Sequence, residues 1–137
     1  MPEIQRLLET ALYVDDLERS REFYQAVLGL DPMMESERMV AFDAGAATVF
    51  LVFQRGSTSD PLDVEGGRIP PHGSRGPSHF AFAIAERELD AWRRHLSSLG
   101  IPLESEVRWP MGGTSLYFRD PDGHSVELVT PGIWPVY

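Results

Sequence analysis

The feature that most constrains the fold is an internal repetition. Residues 9–30 read ETALYVDDLERSREFYQAVLGL, and residues 78–101 read SHFAFAIAERELDAWRRHLSSLGI. Each stretch opens with alternating apolar residues, passes through acidic residues and continues with apolar residues at helical spacing up to a glycine. The alternation is typical of a half-buried strand, and the later spacing is typical of an amphipathic helix. The sequence therefore predicts two similar units that each begin with a strand and a helix.

The residues around each helix predict where it starts and ends. Asp15 is expected to cap the first helix, and Glu18 three residues later would complete a capping box. Gly29 stands where a helix favours a left-handed residue after its last turn. Strand-like runs follow each helix, so each half reads as a strand, a helix and about three strands. Such a half is too small to bury a core alone, and the two halves are expected to pack together.

The expected fold is therefore α+β, with one domain over residues 1–137. Its first module covers residues 5–54, and its second module covers residues 78–132. Residues 55–77 are rich in glycine, proline and serine and are long for a connector. Two interpretations of this segment stay open: a linker that doubles as a flap over a site, and an exposed surface loop.

Composition excludes several kinds of chemistry and partner. The formal net charge is −9, which argues against nucleic acid and anionic membrane surfaces as partners. There is no cysteine, and all twelve basic residues are arginine, so thiolate and lysine nucleophiles are excluded. No apolar run is long enough to span a bilayer, and the first residues lack an apolar signal core. The sequence therefore predicts a cytoplasmic protein that binds neither nucleic acid nor membranes.

Three ionisable residues stand out because their neighbours are apolar. Glu9 and His79 hold equivalent places at the start of the two repeats, on the strand face turned away from the helix. Glu127 lies within the strand-like run SVELV and points away from its apolar neighbours. One histidine and two acids on such faces form a candidate site for a divalent metal ion. From the residues alone, a core or surface histidine and glutamates that pair with arginine or face solvent stay open as alternatives.

Three stretches carry a resemblance to a known family. Residues 12–30, 79–84 and 116–128, which read LYVDDLERSREFYQAVLGL, HFAFAI and LYFRDPDGHSVEL, resemble the vicinal oxygen chelate superfamily. That superfamily includes glyoxalase I, bleomycin resistance proteins, fosfomycin resistance enzymes and extradiol dioxygenases, and the resemblance covers nearly the whole chain. It implies two βαβββ modules that form curled half-barrels around a shared cleft. It also implies metal ligands on the first and last strands of each module.

The resemblance assigns the candidate ligands residue by residue. His79 and Glu127 match the two ligand positions of the second module, and Glu9 matches the opening position of the first. Aligning TVFLVF with SVELV puts Phe50 at the closing position, where it cannot bind a metal and is expected to line the cleft and contact substrate. The implied ion is divalent, such as Mn, Fe, Ni, Mg or Zn. The alternative for Glu9 is a pair with arginine in a metal-free pocket.

Other side chains are expected around this site. Tyr117 precedes Glu127 across a predicted turn and is expected to donate a hydrogen bond to the substrate or to shuttle a proton. Its alternative is a packed aromatic in the wall of the cleft. Trp109 and His72 are expected to contact the substrate, and the alternative for His72 is a solvent-exposed loop histidine. His124 is expected to cap the turn before the last strand.

The resemblance implies a metal-dependent small-molecule enzyme that chelates two adjacent oxygens of an organic substrate, as a lyase, an isomerase or a dioxygenase. The competing interpretation is a metal-free protein that binds or sequesters a small molecule, as bleomycin resistance proteins do. A homodimer is expected because members of the superfamily are commonly dimers. Both functions stay open on the sequence.

Overall fold

The chain forms two compact units in the computed structural model, which describes all 137 residues. The units are Met1–Gly76 and Pro77–Tyr137. In each unit one four-stranded sheet is built from a strand, a helix and three further strands in the predicted order, so the α+β fold with two βαβββ modules is confirmed. Neither helix has the length and apolar character that a transmembrane span requires.

The first unit contains one helix and six strands. Its elements are β1 (Glu9–Val14), α1 (Leu17–Leu28), β2 (Asp31–Glu35), β3 (Met39–Asp43), β4 (Val49–Gln54), β5 (Leu62–Val64) and β6 (Gly67–Ile69). The main sheet has the order β1-β4-β3-β2, while β5 and β6 form a separate hairpin. Strands β1 and β4 are parallel, and the other neighbours in the main sheet are antiparallel.

The second unit repeats this topology. Its elements are β7 (His79–Ala83), a short 3₁₀ turn (Glu86–Glu88), α2 (Leu89–Ser98), β8 (Ser105–Arg108), β9 (Thr114–Arg119) and β10 (Ser125–Val129). The sheet order is β7-β10-β9-β8, with β7 and β10 parallel. Parallel neighbours require a crossover connection, which begins with the helix in both units. The first and last strands of each unit therefore lie side by side.

Aromatic side chains fill the space between α1 and its sheet. Tyr24 of the helix is buried and lies edge-on to Phe50 of β4, with ring centroids 5.0 Å apart. Phe42 of β3 lies against both rings. Phe50 is only 1% exposed. It belongs to the core under the helix, and the expectation that it lines a cleft and contacts substrate is corrected.

The strand register explains this correction. Glu127 pairs with Ala81, two residues after the start of β7. Leu51 pairs with Ala11, two residues after the start of β1. Leu51 is therefore the counterpart of Glu127, and the alignment that chose Phe50 is shifted by one residue. Such a shift moves a side chain to the other face of the sheet.

The two ends of α1 compare differently with the prediction. Gly29 follows the helix with a left-handed φ of 65°, which confirms its predicted role. The residue that caps the start is Asp16, whose carboxylate accepts the backbone N–H of Arg19 at 3.0 Å, so the prediction of Asp15 is wrong. The capping residue directly precedes the helix. Asp15 instead pairs with Arg55, with Oδ1 2.6 Å from Nε.

The segment predicted as a linker, residues 55–77, contains the exposed β5–β6 hairpin. After the hairpin the chain returns to Thr58, whose carbonyl accepts the backbone N–H of His72 at 3.0 Å. The Thr58 hydroxyl donates to the His72 carbonyl at 2.5 Å. The phenol oxygen of Tyr13 on β1 lies 2.5 Å from Nδ1 of His72. The segment is thus tied to the end of β1, and its role as a flap stays a prediction.

We expect the variants Phe50→Ala and Leu51→Ala to differ in stability, because the two side chains lie on opposite faces of β4. Loss of the buried Phe50 ring should lower the free energy of unfolding by about 3–5 kcal/mol. Loss of the half-buried Leu51 side chain should cost roughly half of that or less. Denaturant titrations followed by circular dichroism measure both changes. A larger loss for Leu51→Ala than for Phe50→Ala would contradict the register.

Candidate metal centre

The sheet of the second unit has two chemically different faces. Arg93 of α2 binds Glu106 of β8 through two N–H···O contacts, so the helix lies over the face that carries Glu106. Strand pairing puts Leu116 on the same face, where it is fully buried. Alternation turns Glu127 to the opposite side, which we call the helix-free face. This face carries His79, Ser115, Tyr117, Ser125 and Glu127.

His79 and Glu127 form the centre of the helix-free face. Nε2 of His79 lies 3.2 Å from Oε2 of Glu127. Nδ1 of His79 lies 3.1 Å from the backbone carbonyl of Ser125, which can only accept a hydrogen bond. A neutral imidazole has one N–H, so when Nδ1 donates to Ser125 the Nε2 lone pair faces a carboxylate oxygen of Glu127. Two acceptor atoms at this distance require a proton or a cation between them.

The two side chains of this pair differ in burial. Glu127 is only 3% exposed and has apolar neighbours in its strand, so its carboxylate is shielded from water. The side chain of His79 is 54% exposed, so the pair can be reached from solvent on the histidine side. A buried carboxylate is tolerated only when its oxygens are hydrogen-bonded or paired with positive charge.

Ser115 satisfies the other oxygen of Glu127. The buried Ser115 hydroxyl donates a short hydrogen bond to Oε1 of Glu127. The indole Nε1–H of Trp109 donates to the same hydroxyl oxygen at 2.7 Å. Sequence reasoning missed Ser115, although its spacing of two from Tyr117 in TSLYF was a signal that both share one strand face.

Tyr117 lies directly opposite Glu127 in the pairing of β9 with β10. Its ring centroid is 6.1 Å from that of His79. Burial raises the pKa of the Tyr117 phenol above its ordinary value, and the Glu127 carboxylate raises it further, while a hydrogen bond with Ser115 opposes the shift. The phenol therefore keeps its proton at neutral pH, with Ser115 and Glu127 as its hydrogen-bond partners.

The chemistry of the pair fits a divalent metal ion. One imidazole nitrogen and one carboxylate oxygen are donors that suit Mn, Fe, Ni or Zn. A histidine that binds metal usually donates its other ring N–H to a carbonyl or carboxylate, as His79 does to Ser125. No third His, Asp or Glu side chain joins the pair within the second unit. Glu9 lies in the first unit, where it is exposed and begins β1 as His79 begins β7.

Trp109 and His72 have partners that differ from the substrate contacts expected of them. Trp109 is tied to Ser115 through its indole N–H. His72 lies in the first unit, where its ring packs edge-on against Phe53 with centroids 4.9 Å apart. His72 also lines a cavity of about 370 Å³, together with Tyr13 and Arg55 among others. Contact of either residue with a substrate stays a prediction.

His124 has a different role from the one expected. It is 1% exposed, and its Nδ1 accepts the backbone N–H of Ser78 at 2.8 Å. The turn before β10 is capped by Asp120, whose Oδ1 accepts the backbone N–H groups of Asp122 and His124. The expectation that His124 caps the turn is therefore corrected: it ties the turn to the start of β7.

Comparison with known families decides what kind of protein carries this site. The model of the Glyoxalase/Bleomycin resistance protein/Dioxygenase superfamily matches residues 6–128. The chain belongs to this superfamily. The family resemblance read from its sequence is therefore confirmed.

Several relatives share most of their length with this superfamily member. A solved lactoylglutathione lyase from Agrobacterium tumefaciens is 36% identical, with a TM-score of 0.87, and the match covers 98% of this chain and 99% of that one. The metallothiol transferase FosB of Bacillus licheniformis is 31% identical over 88% of this chain and 72% of its own length. The glutathione transferase FosA of Serratia marcescens is 29% identical over 91% of this chain and 80% of its own length.

These similarities confirm the predicted class of function, a metal-dependent enzyme of the vicinal oxygen chelate type that acts on a small molecule. They also confirm a divalent metal ion as the cofactor, without choosing among the candidate metals. The names of the relatives include both a lyase and transferases, so they do not by themselves select one reaction for this chain.

We expect Tyr117 to ionise above pH 10.0, the ordinary value for a phenol, because burial and the nearby Glu127 charge both raise its pKa. A pKa raised in the folded state contributes stability at neutral pH, and this contribution is lost as the pH rises above 10.0. The difference between the phenolate absorbance titrations of wild type and Tyr117→Phe isolates the residue. A difference signal with a midpoint below 10.0 would contradict the described environment.

Proposed function

We propose that the chain is a metal-dependent lyase or isomerase that acts on a small 2-hydroxy or 2-oxo compound linked to a thiol, as in lactoylglutathione. The observation that carries the proposal is the pair of candidate ligand atoms, Nε2 of His79 and Oε2 of Glu127, which lie 3.2 Å apart. The 36% identity to a lactoylglutathione lyase over nearly the whole of both chains supports this choice of reaction.

Glu9 is the proposed third ligand of the metal ion. It opens β1 as His79 opens β7, and the strand pairing is equivalent because Glu9 lies opposite Val49 as His79 lies opposite Ser125. Two carboxylates and one imidazole balance the charge of a divalent ion. A divalent ion held there supplies Lewis-acid polarisation of two adjacent substrate oxygens.

The protein side chains then orient and stabilise the reacting group. His79 and Glu127 fix where the substrate oxygens lie on the helix-free face. Tyr117 keeps its proton and donates a hydrogen bond to the substrate oxygen on which negative charge develops. Because the phenol lies opposite Glu127 on the neighbouring strand, the donor is already in place before the substrate binds.

The charges on the helix-free face favour this reaction over transfer of a thiol to a phosphonate such as fosfomycin. Arg119 projects from β9 on this face, and two N–H···O contacts to Glu104 hold its guanidinium. A doubly charged phosphonate would compete with the Glu104 carboxylate for this cation. Thiol transfer is the second candidate function, and the 31% identity to FosB supports it.

Two further properties are proposed from the family resemblance. We propose that the chain forms a homodimer and works in the cytoplasm. Light scattering of the purified protein measures the first, and a mass equal to one chain would contradict it. Fractionation of cells that express the chain measures the second.

We expect purified wild-type protein incubated with Mn²⁺, Ni²⁺ or Zn²⁺ to retain about one ion per chain. The variants Glu9→Gln, His79→Gln and Glu127→Gln should each lose most of that metal, because each removes one donor. The control His95→Gln changes a histidine on α2, in the second unit, and should retain it. Elemental analysis after gel filtration measures the content. Metal-free wild type under all three conditions would contradict the proposal and favour a metal-free binding protein.

The choice of reaction is tested with the metal-loaded protein and two substrates. One is the adduct of glutathione with a 2-oxoaldehyde, and the other is fosfomycin with glutathione or another small thiol. We expect turnover of the first, and Tyr117→Phe should reduce kcat by about 10- to 1,000-fold because it removes a preorganised donor. If the protein turns over fosfomycin with a thiol but not the glutathione adduct, the second candidate function is selected.

A further inference from the structure

The two oxygens of Glu127 have different partners. Oε2 faces Nε2 of His79, whereas Oε1 accepts the hydroxyl proton of Ser115. An indole nitrogen can only donate, so the Trp109 N–H occupies a lone pair of Ser115 and leaves the hydroxyl proton for Glu127. The hydrogen bonds therefore run in one direction, from Trp109 through Ser115 to Glu127.

The backbone holds the donor end of this chain in place. The Trp109 carbonyl accepts the N–H of Gly112, and the Trp109 N–H donates to the carbonyl of Gly113. Gly113 lies so close to Gly132 that a Cβ on Gly113 would be 2.8 Å from the Gly132 carbonyl carbon. The turn that carries Trp109 is thus packed against the segment that follows β10. The turn therefore holds the Trp109 indole beside Ser115.

The position of Ser115 is fixed by the sheet. It is fully buried on β9, and its pairing with Val129 fixes the backbone on the side of β10. Rotation of its hydroxyl away from Glu127 would leave a buried carboxylate oxygen with one hydrogen bond fewer. Such a loss is unfavourable, because a buried charged group without its hydrogen-bond partner keeps its desolvation penalty.

We propose that Ser115 and Trp109 are positioning residues that make Glu127 a one-oxygen ligand and thereby set the affinity of the centre for its metal ion. This inference rests on the proposed metal site and names residues outside the ligand set. The Ser115 hydroxyl directs Oε1 toward β9, and Oε2 is the oxygen placed to share a cation with His79. Without the hydroxyl, the carboxylate can rotate and lose its fixed direction.

The test uses the full chain, freed of metal, and Mn²⁺ as the probe. We expect Ser115→Ala to raise the Kd for Mn²⁺ about 10- to 100-fold, which is the usual effect of removing a partner of a metal ligand. Ser115→Thr keeps the hydroxyl on a side chain suited to a strand and should restore most of the affinity. Trp109→Phe removes the N–H and keeps an aromatic ring, so it should weaken binding less than Ser115→Ala. Ser105→Ala, an exposed serine on β8 opposite Tyr117, is the matched control.

A second readout follows the hydrogen bond itself. In a Trp92→Phe/Trp134→Phe background, Trp109 is the remaining tryptophan, and its emission reports the state of its N–H. In this background with Ser115 unchanged, Mn²⁺ or Zn²⁺ should change the emission. The bound ion alters the charge on Glu127, which polarises the chain of hydrogen bonds. The change should be lost with Ser115→Ala. Circular dichroism checks that each variant is folded. If Ser115→Ala is unfolded, the single variants Ser115→Thr and Trp109→Phe are compared with each other instead.

The outcomes separate the inference from the proposed function. Wild type that binds Mn²⁺, with an unchanged Kd in folded Ser115→Ala, would overturn the inference and leave the metal site intact. The same holds if Ser115→Thr binds as weakly as Ser115→Ala. Wild type that binds no divalent ion would overturn the proposed function and this inference together.

Discussion

A buried carboxylate is the constraint on which the site in the second unit depends. Glu127 is 3% exposed in the middle of β10, and an ionised carboxylate in such a place is costly unless both oxygens are satisfied. Parallel pairing with β7 brings His79 to one oxygen, and antiparallel pairing with β9 brings Ser115 to the other. The strand order β7-β10-β9 is therefore what allows the acid to be buried. The crossover that begins with α2 makes that order possible.

The two units share a topology and differ in chemistry. At positions that match Ala81 and Glu127, the first unit has Ala11 and Leu51. Leu51 needs no hydrogen-bond partner, whereas an acid at the same position needs partners on both flanking strands. Folding of a module requires the alternation of apolar residues, which both units have. The polar partners of Glu127 are an additional property that only the second unit has. In the first unit, Glu9 is the polar residue at the start of β1, the position that His79 holds in β7.

Much of the fold and part of the site could be predicted from the sequence, for identifiable reasons. Alternation in SVELV was enough to turn Glu127 away from the helix, and its position on the last strand matched His79 on the first. The run TVFLVF is apolar at every position except its first, so its alternation could not fix the register, and Phe50 was chosen in place of Leu51. The role of Ser115 depends on pairing between strands and on Trp109, which local spacing does not show.

Nitrogen NMR of the His79 ring, in protein freed of metal and after addition of Zn²⁺, is the sharpest test of the proposed metal site. We expect neutral His79 to carry its proton on Nδ1, which donates to the Ser125 carbonyl, and we expect Zn²⁺ to shift the Nε2 resonance while Nδ1 stays protonated. A neutral ring with its proton on Nε2, donating to Glu127 and unchanged by Zn²⁺, would contradict it. The pair would then be an ordinary buried hydrogen bond.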